Sequence, residues 1–167
     1  RRPRLRGTVD EEGGAGQLCA VTYHAEHAFR FTAADGTSRF GRYRFVPQAG
    51  EAFIAPDEGG KRGPSFLREE LEGRLRTGPV AFRLLLQLAE PGDPTDDVTA
   101  LWPEGRPQVE LGRLEITAVS PTSAADERRL IFDPANCTDG IDLSADPILQ
   151  ARSAAYAISY ERRTKGE

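Results

Sequence analysis

Between Val80 and Leu88 the chain reads VAFRLLLQL, a run so continuously apolar that a strand buried on both faces is the expected element. Elsewhere the apolar positions alternate. In QVELGRLEITAV, residues 108–119, Val109 and Leu111 share one parity and Leu114 and Ile116 the other. A one-residue bulge at Gly112 restores a single apolar face. The stretch AVTYHAEHAFRFT, residues 20–32, places His27, Phe29 and Phe31 on an apolar face and His24, Glu26 and Arg30 on the opposite one. RFGRYRFV follows it across AADGTS, and Asp35-Gly36 between two alternating runs predicts a hairpin.

Helical spacing occurs twice. GPSFLREELEGRLRTG carries Phe66, Leu67, Leu71 and Leu75 as one stripe, with Gly78 just past its end. A second helix is expected from Pro147 to about Tyr160, since Asp146 is a natural N-cap and proline suits a first helical turn. FDPANCTDG reads as a turn-rich connector. AEPGDPTDD reads as a polar loop without the ligand count or glycine placement of a calcium site. The opening residues have charge runs and a glycine cluster but almost nothing apolar, so residues 1–19 are expected to be a poorly ordered arm and residues 20–167 one domain. Four strands, a helix inserted midway and a closing helix describe an α+β fold on antiparallel sheet.

The composition excludes more than it selects. With 22 basic and 26 acidic residues among 167, the net charge of −4 is too mild to indicate nucleic acid or a membrane surface. No apolar run reaches the length of a membrane span, and the start does not resemble a signal peptide, so nothing chooses between cytoplasm and periplasm. Cys19 and Cys137 lie far apart without metal-ligand spacing and read as free thiols. The chain has no methionine and hence no initiator, so a processed product or a piece of a longer chain is expected.

The chemistry concentrates in DPILQARSAAY, residues 146–156. Positions i and i+4 share a helix face, so Arg152 and Tyr156 can touch. A free phenol is neutral at neutral pH, but an adjacent guanidinium favours the charged form. One use of a phenolate is to bind iron. HAEH invites a second metal reading, which strand geometry opposes: residues three apart face opposite sides, so His24 and His27 cannot reach one ion.

Several segments, in order, resemble the catalase superfamily, specifically its small branch of catalase-related haem peroxidases. They are HAFRFTAADG, RYRFVP, RLLLQLAEPGDPTDDVTALWPE with VELGRLEIT, and LIFDPANCTDGIDLSADPILQARSAAY, covering about residues 22–163. The resemblance implies an antiparallel half-barrel of about four strands, the second half of a catalase-type β-barrel, closed by a proximal-haem helix. It implies haem b held by Tyr156 as tyrosinate. Arg152 would hydrogen-bond the phenolate, His27 and Asp146 would support that arginine, Arg163 would meet a haem propionate, and Phe132 of FDP would pack near the ring. Spacing agrees for Arg163, which returns to the face of Tyr156, while ERR leaves Arg162 as a competitor for that role.

The implied activity of the intact parent is decomposition of hydrogen peroxide, or its use to oxidise a small organic donor. No nucleic acid or membrane partner is implied, and a homo-oligomer is compatible. The family's peroxide-cleaving histidine lies on the other side of the haem, in an N-terminal half not matched here, so this chain alone is expected to have little or no activity. No nicotinamide-nucleotide site is implied, because Val46 stands where larger catalases carry a lysine. Two other readings are carried: a half-barrel without haem whose unpaired strand edges serve assembly, and a haem-dependent rearrangement of lipid hydroperoxides.

Overall fold

The computed structural model describes residues 14, 15, 17–55, 58 and 61–165. Among these, the elements run β1 (Gly14–Ala15), β2 (Tyr23–His24), β3 (Phe29–Thr32), β4 (Ser38–Pro47), β5 (Phe53–Ile54), α1 (Phe66–Leu75), β6 (Val80–Leu88), β7 (Gln108–Ile116), α2 (Ser123–Arg129), β8 (Ile141–Leu143) and α3 (Pro147–Lys165). The main sheet has the order β7-β6-β4-β3-β8, with β2 also paired to β4, and a separate ladder joins β1 to β5. Six strands therefore stand where about four are expected. The additions are the short β8, which pairs antiparallel with β3, and the division of the run at residues 20–32 into β2 and β3. Most of the expected arm lies outside the described residues; of the remainder, Gly14–Ala15 pairs with Phe53–Ile54 and Cys19 is buried.

Contacts divide the chain into two compact units, with β4 and β6 passing from one to the other. The first takes residues 1–24, 43–86 and 108–119. Its core is Cys19, Val80 and Phe82, with Leu18, Phe45, Leu71, Leu75 and Ile116 packed around them. The stripe of α1 thus faces this core through its last two leucines, Leu71 and Leu75. Tyr23 packs edge-on against Phe82, with ring centroids 6.0 Å apart, and its hydroxyl donates to Leu18 O at 2.6 Å.

The second unit takes residues 25–42, 87–107 and 120–167. The expected hairpin is present: Phe31 faces Arg39, Thr32 faces Ser38, and Gly36 adopts φ 85° at the tip, a conformation open to glycine. Thr37 N donates to Asp35 Oδ1 at 2.8 Å, so the aspartate closes the turn with its side chain.

The break between β2 and β3 matters for the site. Tyr23 and His24 face Phe45 and Arg44, whereas Phe29 faces Gly41. Four residues, 25–28, therefore run opposite only Arg42 and Tyr43. This excess lifts the segment out of the ladder as a bulge does. His27 sits in it, 4% exposed, while Glu26 and Arg30 stay at the surface as the alternation predicts.

The polar loop after β6 is fixed by arginine. Arg106 grips Asp93 with two hydrogen bonds of 2.8 Å and also reaches Glu90. Trp102, 7% exposed, donates to Pro94 O at 2.8 Å. Over that indole, 4.3 Å from its centroid, lies the guanidinium of Arg42.

Candidate functional site

Helix α3 begins as its sequence dictates. Asp146 Oδ1 accepts from Ile148 N at 2.8 Å, satisfying one of the free donors of the first turn, and Pro147 needs none. Leu149, 0% exposed, anchors this turn in the second unit, a burial that contributes about 2 kcal/mol. The helix runs to Lys165, more than a turn beyond the expected end.

One turn along, Arg152 Nη2 donates to Tyr156 Oη at 2.7 Å, and the guanidinium carbon lies 5.4 Å from the phenol ring centroid. Both side chains are half-buried. A cationic donor is thus aimed at the atom that carries negative charge in a phenolate, and charge-assisted bonds are the stronger kind. Behind the helix start lies a second couple, His27 Nδ1 and Asp146 Oδ2, 2.8 Å apart. His27 and Asp146 are 4% and 1% exposed. Asp146 therefore spends one oxygen on the helix and the other on His27. Among the described residues no hydrogen bond runs directly from Arg152 to either member of this couple.

Phe132 is 70% exposed, and it is the next residue, Asp133, that reaches α3. Asp133 Oδ1 accepts from Ser153 Oγ at 2.5 Å and from Ala135 N at 2.9 Å. These bonds hold the Asp133 carboxyl below the usual carboxylate range, the Ser153 hydroxyl contributing most. A carboxylate whose folded value is depressed contributes stability above its unfolded value and loses it as pH falls through the folded one. In Ser153→Ala the contribution shrinks. The acid-unfolding midpoint, followed by circular dichroism, is expected to move to higher pH, and an unchanged midpoint would contradict the assignment.

Arg163 lies on the face of Tyr156 two turns further on. Its guanidinium donates to Glu127 O at 3.1 Å and Leu130 O at 2.9 Å, capping the C-terminal end of α2. The guanidinium retains further N–H donors beyond these two.

Arg42 is the participant that the sequence does not disclose. It is 7% exposed and donates to Ala100 O at 2.7 Å and Asp97 O at 3.2 Å, while its Nε has no partner. Burial pulls its affinity for the proton down, and the carboxylates of Asp146, Asp93, Asp97 and Glu26 oppose that pull, Asp146 most strongly. Asp146 thus has two cation-capable neighbours, His27 by contact and Arg42 through its field. Both cysteines are free, Cys19 buried and Cys137 half-buried, and no cluster of three or more metal-ligating acids, thiols or imidazoles occurs among the described residues.

Comparison with known proteins places the chain in a family. The profile of the family described as Catalase matches residues 8–166. A catalase-related peroxidase of Mycolicibacterium paratuberculosis is 37% identical over 166 residues, which cover 97% of this chain and 53% of that protein. One from Synechococcus elongatus is 39% identical over 146 residues, covering 87% and 43%. The chain spans about half the length of the curated relatives it matches. Among solved structures, catalase A from Saccharomyces cerevisiae superposes with a TM-score of 0.81 at 19% identity, covering 89% of this chain and 33% of that one. A bacterial catalase gives 0.77 at 23%, covering 88% and 31%, and the likeness in both cases is one of fold.

Proposed function

Because the chain belongs to the catalase family, we propose that it carries the haem-holding, proximal part of a peroxide-decomposing protein, with Tyr156 as the ligand to iron. The observation that supports this best is the 2.7 Å bond from Arg152 to the Tyr156 hydroxyl. The residues present suit such a group: a phenolic oxygen with a cationic donor, on a helix whose start is tied down, beside a connector with exposed Leu130, Ile131 and Phe132.

Haem b, when bound, supplies a ferric iron that takes the phenolate oxygen and at which hydrogen peroxide is broken down. The chain's own part is electrostatic and positional. Arg152 would stabilise negative charge on Oη, and an anionic ligand would favour oxidised iron. His27 and Asp146 keep the start of α3 in place. The spare donors of Arg163 are offered to a propionate, and Phe132 to the ring itself. For the intact parent we propose hydrogen peroxide as substrate, a small organic donor as reductant, and assembly into a homo-oligomer.

Neither histidine is proposed to cleave peroxide, since His27 is committed to Asp146 and His24 lies on the outward face of its strand. Little turnover is therefore expected from these residues alone, and robust oxygen release from peroxide by the haemin-loaded chain would contradict this part.

Haemin titration tests the whole reading. One equivalent per chain is expected to give a saturable visible spectrum, and Arg152→Gln, which keeps a neutral donor, is expected to weaken binding roughly 10- to 100-fold. A titration that never saturates, or an Arg152→Gln curve superimposable on the wild type, would overturn it.

A further inference from the structure

Arg42 is a full positive charge in a place where charge is costly. It is 7% exposed, and its guanidinium lies 4.3 Å from the centroid of Trp102, an equally buried indole. Among the described residues its hydrogen bonds go to two carbonyls, Ala100 O and Asp97 O, its Nε has no partner, and no carboxylate touches it. Carbonyls satisfy donors but carry no net charge. A buried guanidinium therefore needs an anion at some remove.

Four carboxylates act on it through their fields, and three of them are engaged elsewhere or open to water. Asp93 is gripped by two 2.8 Å bonds from Arg106. Asp97 is exposed and turns Oδ1 to Thr99, accepting from N at 2.8 Å and from Oγ1 at 2.6 Å. Glu26 is exposed as well, and an exposed charge acts through the high dielectric of water. Asp146 remains. It is 1% exposed, and its field on Arg42 is the strongest of the four. Its two oxygens bond to Ile148 N and to His27 Nδ1, and neither donor has to be cationic. No other ionisable side chain is hydrogen-bonded to Asp146 among the described residues. The start of α3 itself favours an anion here, because first-turn N–H groups carry partial positive charge.

We infer that Arg42 is the counter-charge of Asp146, and that His27 is consequently the neutral member of the trio, with its one ring proton on Nδ1. One guanidinium, one carboxylate and an uncharged imidazole sum to zero. A second proton on His27 would leave a buried surplus of positive charge beside the positive end of a helix. The neutral ring keeps Nε2 as an acceptor. On the reading proposed above, Arg42 is a positioning residue acting through Asp146: it keeps surplus positive charge away from a helix start whose next turn presents Arg152 to Tyr156. The charge assignment itself makes no use of haem.

Nitrogen-15 NMR of the histidine rings tests it, on the full chain without haemin near neutral pH. The chain has two histidines, so His24→Gln identifies the signals of His27. The wild type is expected to show two well-separated ring nitrogens with the proton on Nδ1, and Arg42→Lys, which keeps the charge, the same pattern. In Arg42→Met the carboxylate loses its counter-charge. His27 is then expected to take up a proton from solvent, its two nitrogens becoming alike as in an imidazolium. Urea unfolding gives a second measure: Asp146→Asn is expected to lower the folding equilibrium constant about tenfold less in the Arg42→Met background than in the wild type. The wild-type and Arg42→Lys patterns test the assignment whether or not Arg42→Met folds well. An imidazolium in the wild type, a neutral ring with its proton on Nε2, a His27 unmoved by Arg42→Met, or equal costs of Asp146→Asn in the two backgrounds would overturn the proposal. A chain that gives the expected patterns yet never saturates with haemin would refute the iron-ligand reading and leave the charge assignment of Arg42 standing.

Discussion

Asp146→Ala is expected to lower the free energy of unfolding by about 3–5 kcal/mol, the cost of stranding one member of a buried polar couple. Two losses combine at this residue. His27 Nδ1 would face no acceptor in a site that is 4% exposed, and Ile148 N would lose its cap. Arg42, whose proton Asp146 helps to retain, would also keep a buried charge with less compensation. For a domain whose whole stability is typically ~5–15 kcal/mol, this is a large share, and a fall in Tm of roughly 10 °C is expected. Asp146→Asn supplies the comparison. It keeps an acceptor for the helix and a polar partner for His27, so a loss of about 1–2 kcal/mol is expected. Urea unfolding of the three proteins orders them wild type, Asn, Ala. An alanine variant within ~1 kcal/mol of the wild type would show that the couple does not hold the start of α3.

Tyr156→Phe has the larger functional effect and little structural cost. The side chain is half-buried, its ring remains in the variant, and among the described residues the one hydrogen bond lost is that from Arg152. The helix should be as stable as before to within about 1 kcal/mol. Haem binding should change in kind, since the variant retains the connector and Arg163 but offers no anionic oxygen. The charge-transfer features of a phenolate complex should vanish, with affinity at least ~100-fold weaker, a loss greater than that of Arg152→Gln because the ligand itself is removed. Equal stability with unequal haem binding separates ligation from folding.

The elements with strong local signals were the ones legible in the sequence. β6 occupies its apolar run from Val80 to Leu88, and α1 spans the leucine stripe. The Asp35-Gly36 turn and the Asp146-Pro147 helix start are each set by the backbone chemistry of one or two residues. What escaped depends on distant partners. β8 is three residues long and exists only because β3 offers a free edge more than a hundred residues earlier in the chain. α2 is seven residues without an apolar stripe, and its C-terminal carbonyls are capped by Arg163. The first glycine after Tyr160 is Gly166, so no stop signal falls before Lys165, which is why α3 outruns the expected end.

The site divides along the same line. Arg152 and Tyr156 are read from helix periodicity, because their relation is local. Arg42 could not be singled out: in RFGRYRF it stands beside Arg39 and Arg44, and its burial is decided by Trp102 and the carbonyls of Asp97 and Ala100. His27 was assigned to the right face, but its depth comes from the two-for-one mismatch with β4, which no alternation pattern displays.

Resonance Raman scattering from the haemin-loaded chain, excited in its visible band, tests the iron–Tyr156 bond most directly. Enhanced phenolate ring vibrations that shift when tyrosine rings are deuterated, and that disappear in Tyr156→Phe, are the predicted result. Their absence from the wild type, or their persistence in Tyr156→Phe, would contradict it.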